Sequence, residues 1–442
     1  MTPAAPSHAA AAAAEVWSAP TAAGPVRGTV AVPGSKSLTA RLLVLAALAD
    51  GPSLLRDPLR SRDTRLMAAA LRALGVEITD TGPGGRDWSV TPGALRGPAH
   101  LDVGNAGTVA RFLPAVAALA AGTSTLDGDP RVRERPLGPL LAALAQLGAD
   151  LETDPGTGGL PLTVRGGGSL AGGEVTLDAS GSSQFVSGLL LAGPRMRAGV
   201  TVRHAGPPVP SAPHLEMTTG VLRDFGAVVD DTGPSVWRVE PGPLHGREVV
   251  VEPDLSSASA FLAAALATGG EVTLAGWPAR TTQPGRLLPG LLEAMGASTA
   301  LTPAGLVVRG GDRLRGLDAD LSSYGEVVPT LTALAVLAEG PSRLRGVAHL
   351  RGQETDRLRA LAEELGRLGA RVTETADGLA IDPAPLTGGV ALDPRADHRL
   401  AMAYAVVGLV VPGVRVRDVG TVAKTVPDFV ARWTALVAGG GP

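Results

Sequence analysis

Apolar stretches with helical spacing recur along this chain, and each ends at a glycine that a short alternating run follows. The copies are "LRALGVEIT" (Gly75), "LAQLGADLE" (Gly148), "LRDFGAVVD" (Gly226), "LEAMGASTA" (Gly296), "LGRLGARVT" (Gly369) and the weaker "WTALVAGGG" (Gly439). An apolar helical face, a closing glycine and a mostly β-branched run are typical of a helix followed by a strand. The pattern predicts a helix–strand pair that returns about every 70 residues.

A second glycine series runs 24 to 29 residues ahead of the first. Its members are Gly51, Gly122, Gly199, Gly270, Gly340 and Gly413. The two series together predict six copies of a strand–helix–strand–helix–strand unit. Because this repeat is too long for the common solenoids, we expect two compact lobes of three units each. The Pro- and Gly-rich segment 240–254 is the natural crossover between the lobes.

The starts of the predicted helices combine small or hydroxylated residues with cations. The first helices of the six units begin at "GSKSLTAR", "GNAGTVAR", "SGSSQF", "DLSSAS", "YGEVVPT" and "RADHRLAM". Free backbone N–H groups and the helix dipole make such starts potential anion sites. The cations at these and at the second-helix starts are Lys36, Arg41, Arg111, Arg135, Arg357, Arg399 and Lys424.

Each of these starts taken alone is also typical of a turn, an N-cap or a solvated surface charge. Cations oppose the helix dipole at an N-terminus, so stability does not explain their accumulation there. Together they indicate a substrate with several phosphates or carboxylates. For single residues the alternatives stay open: His398 is compatible with a structural role, Glu354 with a capping carboxylate, and Asp356 and Asp397 with caps or orienting groups.

Lysine is nearly absent from the chain, since 37 of its 39 basic residues are arginine. The two lysines are Lys36 in "PGSKSLTAR" and Lys424 in "TVAKTVPDF". An ammonium is a compact point charge whose pKa can be tuned, whereas a guanidinium is a broad planar fork. The two positions therefore predict a crowded anion site that needs an ammonium.

The composition argues against several classes of protein. A net charge of −3 and 3% aromatic residues argue against a general nucleic-acid binder, and the apolar runs are too short to span a membrane. The absence of cysteine excludes disulfides, thiolate ligands and a cysteine nucleophile. "PGSKS" lacks the glycine that a P-loop has before its lysine, and no zinc or dinucleotide motif is present. We expect no metal, no cofactor, and a disordered Ala-rich extension over residues 1–19 rather than a signal peptide.

A set of motifs spread from residue 33 to residue 430 resembles one family. In order they are "PGSKSLTARLLVLAALADG", "GNAGTVARFLP", "PRVRERPLGPL", "SSQFVSGLLLA", "SSASAFLAAA", "GQETDRL", "DHRLAMA" and "AKTVPDF". The combination looks like the 5-enolpyruvylshikimate-3-phosphate synthases. The resemblance implies an α/β fold of two lobes, each built of three βαβαββ repeats. It places the first lobe at 34–250 and a discontinuous second lobe at 20–33 plus 254–442.

The resemblance also implies the reaction. The enolpyruvyl group of phosphoenolpyruvate moves to the 5-hydroxyl of shikimate 3-phosphate, through a tetrahedral adduct that loses phosphate. It implies a cytoplasmic monomer of the shikimate pathway whose partners are these two small molecules.

By the same resemblance, the catalytic residues are Lys36, Glu326 and Glu354. Shikimate 3-phosphate would be held by Ser37, Arg41, Ser182, Ser183, Gln184, Ser211 and Glu326. Phosphoenolpyruvate would be held by Lys36, Asn105, Gly107, Arg135, Gln184, Arg357, Arg399 and Lys424. Residues expected beside the ligands are Thr108, Arg111, His349, Gln353, Asp356, Asp397 and His398.

The chain departs from the family pattern at several of these positions. Many relatives have a lysine at Gln353, an aspartate at Glu326, a tyrosine at His214, an asparagine at His349 and a proline at Phe112. Three other hypotheses remain. A sister enzyme uses UDP-N-acetylglucosamine as acceptor, but it commonly needs a cysteine. A silent binding protein would not need both glutamates and both lysines, and a structural repeat protein would not bury cations.

Overall fold

The computed structural model describes residues 15–439. Its helices are α1 (Lys36–Leu48), α2 (Arg62–Ala73), α3 (Gly107–Leu119), α4 (Pro130–Arg133), α5 (Gly138–Gln146), α6 (Gln184–Ala192), α7 (Pro213–Asp224), α8 (Leu255–Thr268), α9 (Leu288–Ala294), α10 (Val328–Leu337), α11 (Arg357–Gly366), α12 (His398–Gly408) and α13 (Phe429–Val437). Short 3₁₀ helices at Gly325–Val327, Ala348–Gly352 and Val419–Lys424 lie beside the site described below.

The strands of the first half are β1 (Val16–Ser18), β2 (Arg27–Val30), β3 (Ser53–Arg56), β4 (Glu77–Thr81), β5 (Asp87–Thr91), β6 (Ala99–Asp102), β7 (Ala121–Asp127), β8 (Asp150–Thr153), β9 (Leu162–Gly167), β10 (Gly173–Leu177), β11 (Val200–His204), β12 (Val229–Asp230) and β13 (Val236–Val239). Those of the second half are β14 (Glu248–Val250), β15 (Glu271–Ala275), β16 (Ser298–Thr302), β17 (Gly305–Arg309), β18 (Asp318–Asp320), β19 (Ser342–Arg345), β20 (Arg371–Glu374), β21 (Leu379–Asp382), β22 (Ala391–Leu392) and β23 (Arg415–Arg417).

The described strands form five four-stranded sheets and one three-stranded sheet. The orders are β14-β3-β5-β4, β6-β7-β9-β8, β10-β11-β13-β12, β16-β17-β15-β2, β18-β19-β21-β20 and β1-β23-β22. Every sheet contains one parallel pair and antiparallel neighbours; in the pair β2–β15, for instance, Arg27 lies opposite Glu271. The six units predicted from the two glycine series are confirmed.

The closing glycines adopt the conformation that the helix ends require. Gly75, Gly148, Gly226, Gly296, Gly369 and Gly439 all have positive φ, between 74° and 107°. A residue with a Cβ is strained there, so glycine ends these helices at little conformational cost.

The first helix of each unit is apolar on almost every face and is buried. In α3, for example, every residue from Thr108 to Leu119 is buried. Helices α1, α3 and α6 contact one another, and so do α8, α10 and α12. A helix that is apolar all round belongs inside a protein, so each trio forms the centre of a core.

The buried apolar side chains form two clusters. One draws its residues from between Leu38 and Val251, and the other from between Ala19 and Val32 and between Leu255 and Leu436. Two chain segments, 31–35 and 251–254, run between the clusters. They lie side by side, because the Ser35 N–H donates to the Glu252 carbonyl (2.8 Å) and the Asp254 N–H to the Pro33 carbonyl (2.9 Å).

The expectation of a disordered extension over residues 1–19 is wrong at its C-terminal end. Val16–Ser18 form a strand that pairs antiparallel with Arg415–Arg417, with Trp17 opposite Val416. Trp17 packs on Phe429 with ring centroids 6.2 Å apart, and this contact fixes the strand. Residues 1–14 lie outside the described part of the chain. Within residues 15–439, no helix is long and apolar enough to cross a membrane.

Candidate active site

A polar cleft opens between the two apolar clusters, where buried helices begin. Its walls are formed by Lys36, Ser37, Gly107, Thr108, Arg135, Gly181, Ser182, Ser183, Gln184, Pro210, Ser211, His214, Glu326, His349, Leu350, Gln353, Glu354, Arg357, His398 and Arg399. The starts of α1, α3, α6 and α12 meet here, and Glu326 belongs to the 3₁₀ turn that leads into α10. Free N–H groups and positive helix ends therefore face the same space.

Lys36 lines this cleft, Lys424 contacts the wall residue Glu354, and the two lysines share one carboxylate. Lys36 Nζ is 3.5 Å and Lys424 Nζ is 3.6 Å from Oδ2 of Asp63, which lies in the first turn of α2. Lys424 Nζ also donates to Glu354 Oε1 (2.9 Å) and to the Asn105 carbonyl (3.3 Å). Each lysine side chain is 13% exposed, so its charge is held mainly by these partners.

The surroundings shift the two ammonium groups in opposite directions. Burial lowers the pKa of Lys36 against the attraction of Asp63. Burial acts on Lys424 too, but Glu354 and Asp63 outweigh it and raise the pKa of Lys424 above its ordinary value. Lys36 is therefore the better proton donor, and Lys424 is the more firmly held cation.

Glu354 and Asp397 surround Arg357 at the start of α11. Arg357 Nη2 donates to Glu354 Oε2 (2.9 Å), and Arg357 Nε donates to Asp397 Oδ2 (2.7 Å). Asp397 also caps α12 by accepting the Arg399 N–H (2.9 Å). Burial opposes ionisation of Glu354, yet Lys424 and Arg357 together hold the pKa of Glu354 well below its ordinary value. Glu354 is thus a carboxylate with a cation on each oxygen.

Gly107 allows two arginines to approach the backbone at the start of α3. A Cβ at this position would lie 2.6 Å from Arg135 Nη2 and 2.8 Å from Arg111 Nη1, closer than atoms can pack. Arg135 Nη1 donates to the Asn105 carbonyl (3.2 Å). Because the Asn105 carbonyl also accepts from Lys424, the "GNAG" turn brings together an arginine and a lysine from distant parts of the chain.

Serine hydroxyl groups and a glutamine amide form another wall of the cleft. Ser182, Ser183 and Gln184 lead into α6, and Gln184 Oε1 accepts from Arg111 Nη1 (3.1 Å). Ser211 has a φ of 54°, which is unusual for a residue with a Cβ, and its N–H donates to the Ser322 carbonyl across the cleft (2.8 Å). Backbone strain of this kind often accompanies binding sites, because the surrounding structure must hold it.

Glu326 stands apart from the arginine-rich side of the cleft. Its Oε1 is 3.5 Å from His214 Nε2, and its buried Oε2 has no hydrogen-bond partner among residues 15–439. Burial favours the neutral carboxyl, but His214 and Arg399 lower the pKa of Glu326 below its ordinary value. Burial also lowers the pKa of His214. An ionised carboxylate with one free oxygen is suited to accept a proton from a ligand hydroxyl.

Further buried polar atoms in the cleft lack partners within the described residues. They are Asn105 Oδ1, Arg111 Nε, Arg135 Nε, and His398 Nδ1 and Nε2. Buried polar atoms are nearly always hydrogen-bonded, so a cluster of exceptions marks a place for a polar ligand. Burial, followed by Lys36 and Arg399, lowers the pKa of His398 well below its ordinary value, which keeps its imidazole neutral.

Residues 20–433 match the family model described as EPSP synthase (3-phosphoshikimate 1-carboxyvinyltransferase). The chain belongs to the EPSP synthase family. A 3-phosphoshikimate 1-carboxyvinyltransferase of Kocuria rhizophila is 53% identical over 436 residues, which is 97% of this chain and 98% of the relative.

Solved structures agree with this membership. An EPSP synthase of Acinetobacter baumannii has a TM-score of 0.80 at 28% identity and is matched over 95% of this chain and 98% of its own. The enolpyruvyl transferase NikO of Streptomyces tendae shares the fold, with a TM-score of 0.75 at 22% identity over 95% of this chain and 96% of its own. The predicted two-lobed enolpyruvyl transferase-like fold is confirmed.

Most site residues predicted from the EPSP synthase resemblance meet in the cleft, but some do not reach it. Arg41 is fully buried, and its guanidinium donates to Thr218 Oγ1 (2.8 Å) and to the carbonyls of Ser37 (3.0 Å) and His214 (3.2 Å). It lies beneath the cleft wall rather than on it. Asp356 caps α11 through the Arg359 N–H (3.1 Å) and pairs with Arg351 (3.1 Å), and it does not line the cleft.

The sequence reasoning missed Asp63 as a member of this site. Its segment, "SRDT", begins a second helix of the first unit, and the equivalent starts of later units carried site residues. The equivalent position of Asp63 in the repeat was the signal that could have identified it as a site residue. The structure also brings Gly181, Pro210, His214 and Leu350 to the cleft.

Four of the five departures from the EPSP synthase family pattern fall on two sides of the cleft, and the fifth, Phe112, is buried inside α3. Glu326, His214 and His349 lie together, since a Cβ on Gly325 would meet His349 Nε2 at 2.7 Å. Gln353 lies on the other side, where the Arg131 guanidinium reaches across the cleft to the carbonyls of Gln353 (3.4 Å) and Glu354 (3.3 Å). Arg131, which is also paired with Glu134, thus lies against the backbone of the position where the resemblance implies a lysine.

Proposed function

We propose that this chain transfers the enolpyruvyl group of phosphoenolpyruvate to the 5-hydroxyl of shikimate 3-phosphate and releases phosphate. Its membership of the EPSP synthase family supports this activity. The observation that carries the proposal is the cleft, where lysines and arginines gather on one side and Glu326, a carboxylate with one oxygen free of partners among residues 15–439, stands on another. Two phosphates and two carboxylates need many cations, and a hydroxyl nucleophile needs a base.

Phosphoenolpyruvate binds on the side of Arg135, Arg357, Arg399 and Lys424 in this proposal. The Gly107 turn and Asn105 hold the cations of that side close together. Lys36 stands between the two walls and bridges both ligands, because an ammonium can point its three donors in different directions.

Shikimate 3-phosphate binds on the hydroxyl-lined wall. Ser37, Ser182, Ser183 and Ser211 offer hydroxyl and N–H donors to its phosphate, and Gln184 lies beneath its ring. Arg41 acts from the layer below, by holding the backbone of Ser37 and the first turn of α7.

The chemistry divides into addition and elimination. In the addition, Glu326 takes the 5-hydroxyl proton, the hydroxyl oxygen bonds to C2 of phosphoenolpyruvate, and C3 gains a proton to become a methyl group. In the elimination, C3 loses a proton, the double bond reforms and the C2–O bond to phosphate breaks. Lys36 and Glu354 lie where the C3 proton is exchanged, and Arg357, Arg399 and Lys424 stabilise the leaving phosphate.

We assign the first lobe to 34–250 and the second lobe to 15–33 plus 254–439, because the two apolar clusters follow this division and Val16–Ser18 pair with Arg415–Arg417. Their approach assembles the cleft from residues of both, and contacts such as Ser211 N–H to the Ser322 carbonyl hold it closed. Closure excludes water that would hydrolyse the adduct.

We also propose a cytoplasmic monomer. Cytoplasmic location fits a biosynthetic enzyme of this family. The large apolar side chains exposed within residues 15–439 are valines and leucines that each come from a different strand, helix or loop, which supports a monomer.

The test is phosphate release from phosphoenolpyruvate without added metal, with shikimate 3-phosphate or UDP-N-acetylglucosamine as the only acceptor. We expect release only with shikimate 3-phosphate. Release that requires UDP-N-acetylglucosamine would assign the sister activity instead. Tight binding of shikimate 3-phosphate without release under either condition would identify a binding protein.

A further inference from the structure

One buried carboxylate caps two helices from different lobes. Asp254 is the N-cap of α8, and its Oδ1 accepts the Ser257 N–H at 2.8 Å. Its Oδ2 accepts the Lys36 N–H at 3.1 Å, although the two residues are 218 positions apart. Asp254 is 5% exposed, so the carboxylate itself is largely shielded from water.

The second contact lies at the first residue of α1. The side chain of Ser35 also caps α1, but it accepts only the Leu38 N–H, at 3.4 Å. The Lys36 N–H therefore depends on Asp254. A carboxylate at a helix N-terminus is favourable, and here one carboxylate serves two such ends.

The segment that carries Asp254 is held firmly. Gln283 Nε2 donates to Glu252 Oε2 (2.8 Å) and to the Pro253 carbonyl (2.9 Å), and Gln283 Oε1 accepts the Leu255 N–H (3.2 Å). A second-lobe side chain thus fixes both residues that precede Asp254 and the one that follows it. The carboxylate has little freedom to follow α1 if that helix moves.

The hydrogen bond to Asp254 matters because the Lys36 ammonium lies near groups of the second lobe. Asp63 contacts both the Lys36 ammonium and the ammonium of Lys424, and Lys424 is a second-lobe residue. The position of a side chain follows that of its backbone, and a misplacement of about 1 Å in an active site can cost about 10²-fold in rate. The hydrogen bond from the Lys36 backbone to Asp254 keeps the lysine in a fixed position relative to Arg357, Arg399 and Lys424, the second-lobe cations proposed to bind phosphoenolpyruvate.

We propose that Asp254 is a positioning residue for Lys36, a carboxylate that pins the backbone of the catalytic lysine to the second lobe. The inference rests on the proposed function. It assigns Asp254 no contact with either substrate.

The test uses Asp254→Ser. Serine is a good N-cap and keeps the bond to the Ser257 N–H, but its single short-armed hydroxyl cannot also reach the Lys36 N–H. We expect a folded protein whose kcat falls by about tenfold or more. Thr268→Val is the matched control, because Thr268 ties the opposite end of α8 to the Val26 N–H (2.9 Å). It should lower Tm while leaving kcat within about twofold of the wild type.

A double-mutant cycle separates positioning from general damage. In a Lys36→Ala background, Asp254→Ser should change kcat by less than about twofold, because there is no ammonium left to position. A full loss on top of Lys36→Ala, or a wild-type kcat in folded Asp254→Ser, would overturn the proposal. If Asp254→Ser does not fold, Asp254→Asn replaces it, since the amide has only one oxygen acceptor for the two N–H groups.

A measurement that does not depend on activity distinguishes a failure of this proposal from a failure of the proposed function. The chain has two lysines, so labelling lysine side chains with ¹³C and ¹⁵N gives two sets of signals. Asp254→Ser should shift the Lys36 signals and leave those of Lys424 in place. Unchanged Lys36 signals would contradict the positioning of Lys36 by Asp254, and absent turnover in the wild type would instead contradict the proposed function.

Discussion

The two lysines stand at the same carboxylate in different surroundings. Lys36 and Lys424 lie 3.5 and 3.6 Å from Asp63 Oδ2, and their side chains are equally buried. Lys424 has a second carboxylate, Glu354, at 2.9 Å, whereas no other carboxylate within residues 15–439 lies within 4.0 Å of the Lys36 ammonium. The pKa of Lys36 is lowered and that of Lys424 is raised.

The difference shows how one cleft can hold two ammonium groups with different tasks. A lysine whose pKa is lowered can give up and regain a proton during the reaction. A lysine that is paired with two carboxylates stays charged and stabilises a phosphate. The first task does not suit arginine, because a guanidinium does not readily lose a proton. At Lys424 the reason is size, since the compact ammonium lies among Glu354, Asp63 and the Asn105 carbonyl, where a guanidinium would be crowded.

Glu354→Gln should have the largest effect, because it removes the second carboxylate that distinguishes Lys424 from Lys36. It takes the second carboxylate from Lys424 and one of two from Arg357, which keeps its bond to Asp397. We expect kcat to fall by about 10²-fold or more, because a group at the C3 proton is lost and two buried cations each lose one of their carboxylate partners. Steady-state phosphate release measures this. Glu363→Gln, at an exposed glutamate, is the control and should leave kcat unchanged; a near wild-type rate in Glu354→Gln would show that Glu354 has no catalytic part.

Lys36→Arg and Lys424→Arg keep the positive charge but replace a compact ammonium with a planar guanidinium. Each should lower kcat/KM by at least about tenfold, or roughly 1.4 kcal/mol of transition-state stabilisation. The reason is steric as well as electrostatic, since a guanidinium cannot occupy the space of an ammonium between Asp63 and its neighbours. Arg309→Lys, at an exposed ion pair with Glu271, is a control for the reverse exchange. Wild-type rates in both lysine variants would make the two lysines accidents of composition.

Asp63→Asn removes the partner that the two lysines share. We expect kcat to fall by up to about tenfold, because both ammonium groups lose an orienting charge. The KM for phosphoenolpyruvate should not rise, since a negative charge has been taken away from an anion site. Asp150→Asn, at an exposed residue of β8, serves as the control. A raised KM with unchanged kcat would show that Asp63 organises binding only.

The pH dependence of stability gives a smaller effect with a defined sign. The pKa of Glu354 is lowered in the folded protein, so its ion pairs stabilise the fold fully above the unfolded-state pKa. This stabilisation is lost as the pH falls through the folded-state pKa. The difference in unfolding free energy between wild type and Glu354→Gln should therefore shrink on acidification below about pH 4.5. Urea unfolding at several pH values measures it, and a difference that grows toward low pH would reverse the assignment.

The sequence predicted the repeat and most of the site because both depend on local signals. Gly75 and its equivalents had to end helices, and Ser182 and Gly107 mark helix starts whatever the distant surroundings. The positions of Arg41 and Asp63 depend on packing between units, which no short motif reports. The pairing of Val16–Ser18 with Arg415–Arg417 joins the two ends of the chain, so no local pattern could predict it.

The most direct test of the central claim is a pH titration of the two lysines. Their ¹³Cε and ¹⁵Nζ signals would be assigned with Lys36→Arg and Lys424→Arg, and their shifts followed from neutral to alkaline pH in the free protein. We predict that Lys36 titrates below the ordinary lysine value and Lys424 above it. Two identical titrations, or Lys424 losing its proton before Lys36, would contradict the division of tasks between them.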